Sequence, residues 1–562
     1  MSPDRTAPAL AGSLITALYA AGLRDVVLAP GSRSAPLALA LHAADQSGEV
    51  RLHVRIDERT AAFLALGLAT GSRCPVAVVT TSGTAVGNLL PAVMEAHHTG
   101  RRLIVISADR PDRLRDTGAN QTTHQAGLFG TFAPCHDLLP TAAPEQVAEV
   151  VAAAWAATGP TQINVQFDGA LLPEDPDHAW TPGVSDAPET AASRGSGVGT
   201  PTWPLDVRPE VPVELLPNGP RTVVVAGDDA GPAARLLAEA GNWPLLAEPT
   251  SGSRTGRSAI RTYRLLLGTA LRADIERVIV VGHPTLSRPV TELICDPTIE
   301  VLAVRGRSGV ATDPGRTARH LERVPAIARP DDPAWLDRWR AADTEVGSRI
   351  DETLEGQGLT PLTVARAVSA AVIPGTTLVV GSSNPIRDLD VMATPWPTQE
   401  HRFVVGNRGL AGIDGMVSTA IGVGLGRPTA TRTLAYLGDL TFLHDSTGLL
   451  LPHGERQPDL TIVVQSDDGG SIFATLEQGD VRYASAFEHV FATPHGTDLE
   501  ALCRAHHTAY ERITDLERLT RALAEQPHGI RVLEIPVSRV DRRAEAQALR
   551  EIALVATTGP HT

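Results

Sequence analysis

The sequence contains no lysine, so all 49 of its Lys and Arg residues are arginine. This excludes a Schiff-base lysine, a pyridoxal-phosphate lysine and the lysine of a Walker loop. Carbonyl or phosphate chemistry here must proceed without an amine side chain. Cysteine is almost as scarce. Cys74, Cys135, Cys295 and Cys503 are scattered, with no CxxC pair and no metal-ligand spacing. A disulfide framework and a zinc site are therefore not expected, and a reduced, cytoplasmic setting is. No apolar run reaches the ~18 residues of a membrane span. The opening "MSPDRTAPALAGSLITALYA" lacks the basic start and cleavage site of a signal peptide and reads as an amphipathic helix. The net charge of −15 argues against a general nucleic-acid binder.

What is present is apolar alternation on a large scale. At 562 residues, 43% apolar and 20% charged, the chain is too long for one core, and three domains are expected. "DVVLAPG", "LHVRIDE", "VAVVTTSG", "RLIVISADRP" and "TQINVQF" read as buried strands. "AAFLALGLATG", "AVGNLLPAVMEAHHTG" and "EQVAEVVAAAWAATG" read as the helices between them. A stretch rich in Pro, Gly, Ser and Asp, about 178–218, has linker composition. The pattern resumes with "RTVVVAGDDAGPAARLLAEAG", "PLLAE", "RVIVVGHPT" and "IEVLAVRG". A second linker, "RVPAIARPDDPAW", leads to a helix. The third block holds "TTLVVGSSN", "RFVVGNRG", "RTLAYLGD", "LTIVVQSDDGG" and "IRVLEIPVS". The fold class is α/β, three consecutive domains with parallel sheets flanked by helices, over residues 1–185, 205–340 and 355–562. "VVVAGDDAGPAARLLAE" lacks GxGxxG and reads as an ordinary strand-to-helix turn.

Two strands of the third block end in acids. Asp439 closes one, and Asp467 and Asp468 close the next, 28 residues beyond Asp439. Carboxylates there could cap the following helices. On adjacent parallel strands they could equally converge at one sheet edge on a hard cation, with the Gly469 carbonyl as a third ligand. The helix after Asp439 would then turn its N-terminus toward an anion, and the ligand would be a metal-bound diphosphate.

This GD…DDGG pattern resembles the thiamine-diphosphate fingerprint. The usual Asn of the second cluster is Asp467 here, so the second ligand is Asp467 or Asp468. The resemblance implies a cofactor site of Thr81, Ser383, Ile413, Gly438, Asp439, Leu440 and Gly470, with Mg²⁺ (or Mn²⁺) on Asp439, Asp467 and Gly469. It also implies a glutamate that keeps the aminopyrimidine N1′ protonated. Glu58, in "LHVRIDERTAAFLALGLA", matches it; without the resemblance Glu58 would be a helix-start acid paired to Arg55 or Arg59. The loop Thr80 to Asn88 would border the pyrimidine, and Ile413 would hold the cofactor bent.

"APGSRSAPLALAL", "ISADRPDRLRDTGANQTTHQAGLFG" and "VVGNRGLAGIDGMVSTAIG" closely resemble the 2-succinyl-5-enolpyruvyl-6-hydroxy-3-cyclohexene-1-carboxylate synthase family. The resemblance implies N-terminal pyrimidine-binding and C-terminal diphosphate-binding domains around a Rossmann-like one. It implies decarboxylation of 2-oxoglutarate and 1,4-addition of the remaining unit to isochorismate, in menaquinone biosynthesis. Both substrates are polyanions, which arginine forks bind well. The matching positions are Ser32, Arg33, Arg110, Asn120, Gln121, Arg288, Ser383, Arg387, Arg408, Ile472 and Phe473, with Glu58, Arg33, Gln121 and Arg408 as the catalytic set. Beside Arg288, where the family often has a second basic residue, stands Ser287. In related enzymes the cofactor lies between subunits, so a homodimer or dimer of dimers is implied. His97, His98 and His124 read as structural, and Arg305 and Arg307 as free surface arginines or a regulatory anion site. An acetolactate-synthase-like carboligase and a non-catalytic anion-binding α/β protein are the alternatives.

Overall fold

Runs such as "VAVVT" and "RVIVV" bury every side chain, which suits strands covered on both faces. The computed structural model describes residues 6–173 and 212–558. The first sheet holds β1 (Asp25–Leu28), β2 (Arg51–Val54), β3 (Val76–Thr80), β4 (Leu103–Asp109), β5 (Cys135–Leu138) and β6 (Thr161–Gln166), in the order β2-β1-β3-β4-β6-β5. After β7 (Leu215–Leu216), a middle sheet takes β8 (Thr222–Ala226), β9 (Leu245–Ala247), β10 (Arg277–Val281), β11 (Glu300–Val304) and β12 (Arg319–Leu321), ordered β12-β11-β10-β8-β9. Then β13 (Ala326–Ile327) pairs with β7. The third sheet holds β14 (Thr376–Val380), β15 (Phe403–Val405), β16 (Arg432–Gly438), β17 (Leu460–Ser466), β18 (Ala509–Arg512) and β19 (Ile530–Pro536), ordered β15-β14-β16-β17-β19-β18. Every pair in these sheets is parallel.

The first and third sheets share one order: second, first, third, fourth, sixth, fifth strand. We propose that the three large sheets are the cores of three consecutive domains. The expected first boundary at 185, the start at 205 and the linker as far as residue 211 lie outside the described residues. The helix Ala334–Thr353 runs through the expected bound at 340. Its Trp335 and Trp339 belong to a core shared by the middle and third sheets. Among the described residues no helix is long and apolar enough to cross a membrane.

Several expectations change. "AVGNLLPAVMEAHHTG" forms two helices, Thr84–Gly87 and Leu90–Thr99, because Pro91 cannot continue a helix from the preceding turn and instead starts the second one. At β8, Gly227 is required by close approach: a side-chain carbon there would lie 1.9 Å from the Pro284 nitrogen. Arg305 and Arg307 are not free; they pair with Glu322 and Asp229. The helix Ala7–Ala21 forms as expected, capped by the Thr6 side chain.

The first and third sheets meet through equivalent helices, Glu58–Ser72 after β2 and Met416–Gly426 after β15. Glycines let their backbones touch. A side-chain carbon at Gly67 would fall 2.3 Å from the Thr419 carbonyl oxygen, and one at Gly422 would fall 2.3 Å from that of Leu64. Glu58 thereby sits at the start of a helix locked against the other half of the molecule. Gly422→Val should cost about 1–3 kcal/mol through overpacking, measured as a lowered midpoint in thermal or urea unfolding. An unchanged midpoint would contradict this packing.

Candidate active site

The carboxyl end of β16 carries Asp439 and that of β17 carries Asp467. Their strands pair directly, Gly438 opposite Gln465, so the acids meet. Asp439 is 2% exposed and Asp467 8%. One Asp439 oxygen accepts the backbone N–H groups of Asp467 and Gly469, both at 3.1 Å. The other accepts Leu440 N–H at 2.6 Å. Burial and the neighbouring Asp439 charge push the Asp467 carboxyl up to about 7. Asp468 turns away: it is exposed, and its Oδ1 accepts N–H from His495 and Gly496.

A cavity of about 290 Å³ opens over this pair. Ser383, Arg387, Arg408, Ile413, Gly438, Asp439, Leu440, Asp467, Gly469, Gly470, Ile472 and Phe473 line it, as do Thr285, Ser382, Asn384, Gln465 and Ser471. The helix after Asp439 is shorter than its expected anion-facing role suggests, at six residues. The longer Asn384–Met392 helix also brings its first turn to the cavity. Ser383, just before it, holds φ 74° and ψ −137°, a region costing a non-glycine residue of order 1–3 kcal/mol.

Two arginines face the cavity without an acid. Arg408 is 2% exposed and donates only to the hydroxyls of Ser382 (3.1 Å) and Thr285 (2.9 Å); its Nε has no partner. Arg387 donates to the Ser383 carbonyl at 2.7 Å. Burial, then the Arg408 charge, lowers the Arg387 guanidinium to about 10. Among the described residues neither forms an ion pair.

The remaining expected residues gather elsewhere. Ser32 and Arg33 follow β1, Thr81 follows β3 and Arg110 follows β4. Arg33 N–H donates to Thr81 Oγ1, and Arg110 donates to Ser82 Oγ (2.6 Å) and the Gln121 carbonyl (2.5 Å). Gln121 in turn donates to the Ser82 carbonyl at 2.8 Å. Burial and the nearby Arg110 charge lower the Arg33 guanidinium, and neither arginine forms an ion pair among the described residues. Asn120 is exposed beside them. Glu58 is half-buried and accepts from Asn88 at 3.0 Å. Arg59 pairs instead with Asp57, and Arg55 with Glu455. Neither Glu58 nor this group lines the Asp439 cavity of the same chain. Arg288 pairs with Glu477 in an exposed contact. His124 is exposed and paired with Asp116, while His97 packs edge-on to Phe132.

The site contains residues that the sequence reading passed over. Ser382 and Asn384 flank motif positions already marked. His495 Nε2 lies 3.4 Å from Asp439 and makes no hydrogen bond. Glu95 sits on the buried stripe of the Leu90–Thr99 helix with Ala92, Val93 and Ala96, a pattern that could have drawn notice.

The donor set suits a cation and a diphosphate. Two buried carboxylates share one spot, glycines line one wall and a helix N-terminus faces in, which fits Mg²⁺ chemistry with phosphate. Among the described residues no three His, Cys, Asp or Glu side chains gather as a metal cage, so two carboxylates and phosphate oxygens would have to share the ion.

The family described as thiamine pyrophosphate enzyme, N-terminal TPP binding domain, matches residues 9–128. A 2-succinyl-5-enolpyruvyl-6-hydroxy-3-cyclohexene-1-carboxylate synthase from Nocardioides sp. is 49% identical, over 97% of this chain and 98% of its own. Synthases of the same name from Paenarthrobacter aurescens and Mycobacterium avium are 43% and 41% identical, the first over 96% of this chain and 95% of its own, the second over 98% and 99%. The crystal structure of benzoylformate decarboxylase from Polynucleobacter necessarius superimposes with a TM-score of 0.62 at 16% identity, over 94% of this chain and 98% of that one; that likeness concerns the fold.

A guanidinium held below its ordinary value destabilises the folded state. Arg387→Met should therefore raise the thermal midpoint of the cofactor-free protein, by about 1 kcal/mol in stability. A lowered midpoint would show that the charge is compensated within the chain.

Proposed function

The chain belongs to the 2-succinyl-5-enolpyruvyl-6-hydroxy-3-cyclohexene-1-carboxylate synthase family, and on that premise we propose how its residues divide the work. It is a thiamine-diphosphate-dependent transferase of menaquinone biosynthesis. 2-Oxoglutarate loses CO₂, and the remaining four-carbon unit adds to isochorismate in a 1,4-addition.

Asp439 and Asp467, with the Gly469 carbonyl, would hold Mg²⁺ (or Mn²⁺) and through it the diphosphate. The observation that carries this reading is the buried Asp439–Asp467 pair: among the described residues no arginine pairs with either carboxylate, and the one basic group in reach is His495 Nε2, 3.4 Å from Asp439. Gly438, Leu440 and Gly470 leave room for the diphosphate, and Ile413 supplies an apolar wall. Thiamine diphosphate, when bound, supplies the nucleophilic carbon and the electron sink for decarboxylation.

Arg387 and Arg408 would bind substrate carboxylates, with Ser383, Ile472 and Phe473 shaping the same cavity. Their fixed positive charge would stabilise negative charge as it develops. Glu58 would hold a proton at a ring nitrogen of the pyrimidine. Because Glu58 does not line the Asp439 cavity of its own chain, a second copy would bring its Glu58 there, with Ser32, Arg33, Thr81, Arg110, Asn120 and Gln121. A homodimer would thus be the smallest active unit, with Arg288 at the edge of its site. A cytoplasmic location suits the four free cysteines.

Mixed with thiamine diphosphate, Mg²⁺, 2-oxoglutarate and isochorismate, the protein should consume isochorismate and release CO₂. Glu58→Gln should lower turnover roughly 10²–10⁴-fold. Asp439→Asn and Asp467→Ala should weaken Mg²⁺-dependent cofactor binding in calorimetry by roughly 100-fold, whereas Asp468→Ala should leave it nearly unchanged. Loss of binding in Asp468→Ala but not in Asp467→Ala would reverse the ligand assignment.

A further inference from the structure

Arg408 is held from two sides by elements of the other two sheets. The peptides that follow it, Gly409 and Leu410, donate N–H to Glu95 Oε1 at 2.7 Å and Oε2 at 2.8 Å. Gly409 lies so close to that helix that a side-chain carbon would stand 2.9 Å from His98 Cβ. On the guanidinium side, Thr285 accepts from Arg408 Nη2 at 2.9 Å. The N–H groups of Thr285 and Leu286 both donate to Glu248 Oε1, at 3.0 and 2.9 Å. Glu248 directly follows β9. The two acids are 4% and 1% exposed.

We propose that Glu95 and Glu248 are positioning residues for Arg408: Glu95 fixes the backbone behind it, and Glu248 fixes the loop whose Thr285 hydroxyl orients its guanidinium. The physical advantage lies in what the acids leave free. A carboxylate paired directly to the guanidinium would occupy the fork that a substrate carboxylate needs. Bonded to neighbouring peptide N–H groups, each acid fixes the backbone around Arg408 while the fork stays open. Burial raises both carboxyl groups, and the Arg408 charge opposes that rise in each. Such outer support sets a site group to the fraction of an ångström that binding requires.

The inference rests on Arg408 being a substrate-binding group. Glu95 uses both oxygens, so Glu95→Gln must set an amide N–H₂ against a peptide N–H. Glu248 uses only Oε1, its Oε2 being without a partner, so Glu248→Gln can keep both bonds. The test is steady-state kinetics on the holoenzyme, with KM for 2-oxoglutarate and isochorismate measured separately and folding checked by thermal melting. Glu95→Gln, Glu248→Ala and the milder Thr285→Val should each raise the KM of the same substrate about tenfold, with a smaller change in kcat. Glu248→Gln should recover most of the KM lost in Glu248→Ala. In an Arg408→Ala background the three substitutions should add nothing further. Lowered melting temperatures with both KM values unchanged, or effects that multiply with Arg408→Ala, would overturn the inference. Should Arg408→Ala itself leave both KM values unchanged, the site reading falls and the inference with it.

Discussion

A buried charge must be matched, and the cavity at the end of the third sheet holds two acids and two arginines that, among the described residues, form no Arg–carboxylate pair. Asp439 and Asp467 lie together on adjacent strand ends, and Arg387 and Arg408 face the same space with only hydroxyl and carbonyl partners. Left to themselves, such groups oppose folding. On the function proposed above, a divalent cation bound with a diphosphate would answer the acids, and substrate carboxylates would answer the arginines.

The same logic explains why the third sheet needs the other two. Arg408 sits on a loop after β15 whose backbone is held by an acid from the first sheet's layer and whose guanidinium is met by a loop of the middle sheet. Elsewhere Arg254, 2% exposed, ties the middle sheet to Asp390 and to the carbonyls of Asp390 and Ala393. The middle block contributes Thr285 to the cavity and, through Glu248, the rigidity behind it.

The first and third sheets share an order of strands and meet through equivalent glycine-notched helices. That arrangement places the Asp439 cavity at one end of the pair. Glu58, with the arginines after β1 and β4, lies outside that cavity. Within one chain these are two separate groups of residues, each carrying arginines that form no ion pair among the described residues.

The sequence by itself determined the three α/β blocks and most strands, because a parallel strand buried on both faces is a continuous apolar run. It also marked Asp439 and Asp467, because they stand at strand ends, where a parallel sheet gathers its ligands; Arg387, Arg408 and Ile413 were marked by the family resemblance of their motifs. It did not reveal β5, β12 or β18. Each is an edge strand, and "CHDL", "RHL" and "AYER" are only partly buried, so no apolar run announces them. Only the tertiary structure decided that Asp467 rather than Asp468 faces Asp439, since a φ of 56° at Asp468 turns neighbouring side chains apart. Only it showed that Glu95 and Glu248 flank Arg408, because acids from distant parts of the chain meet that loop through packing, which no local pattern encodes.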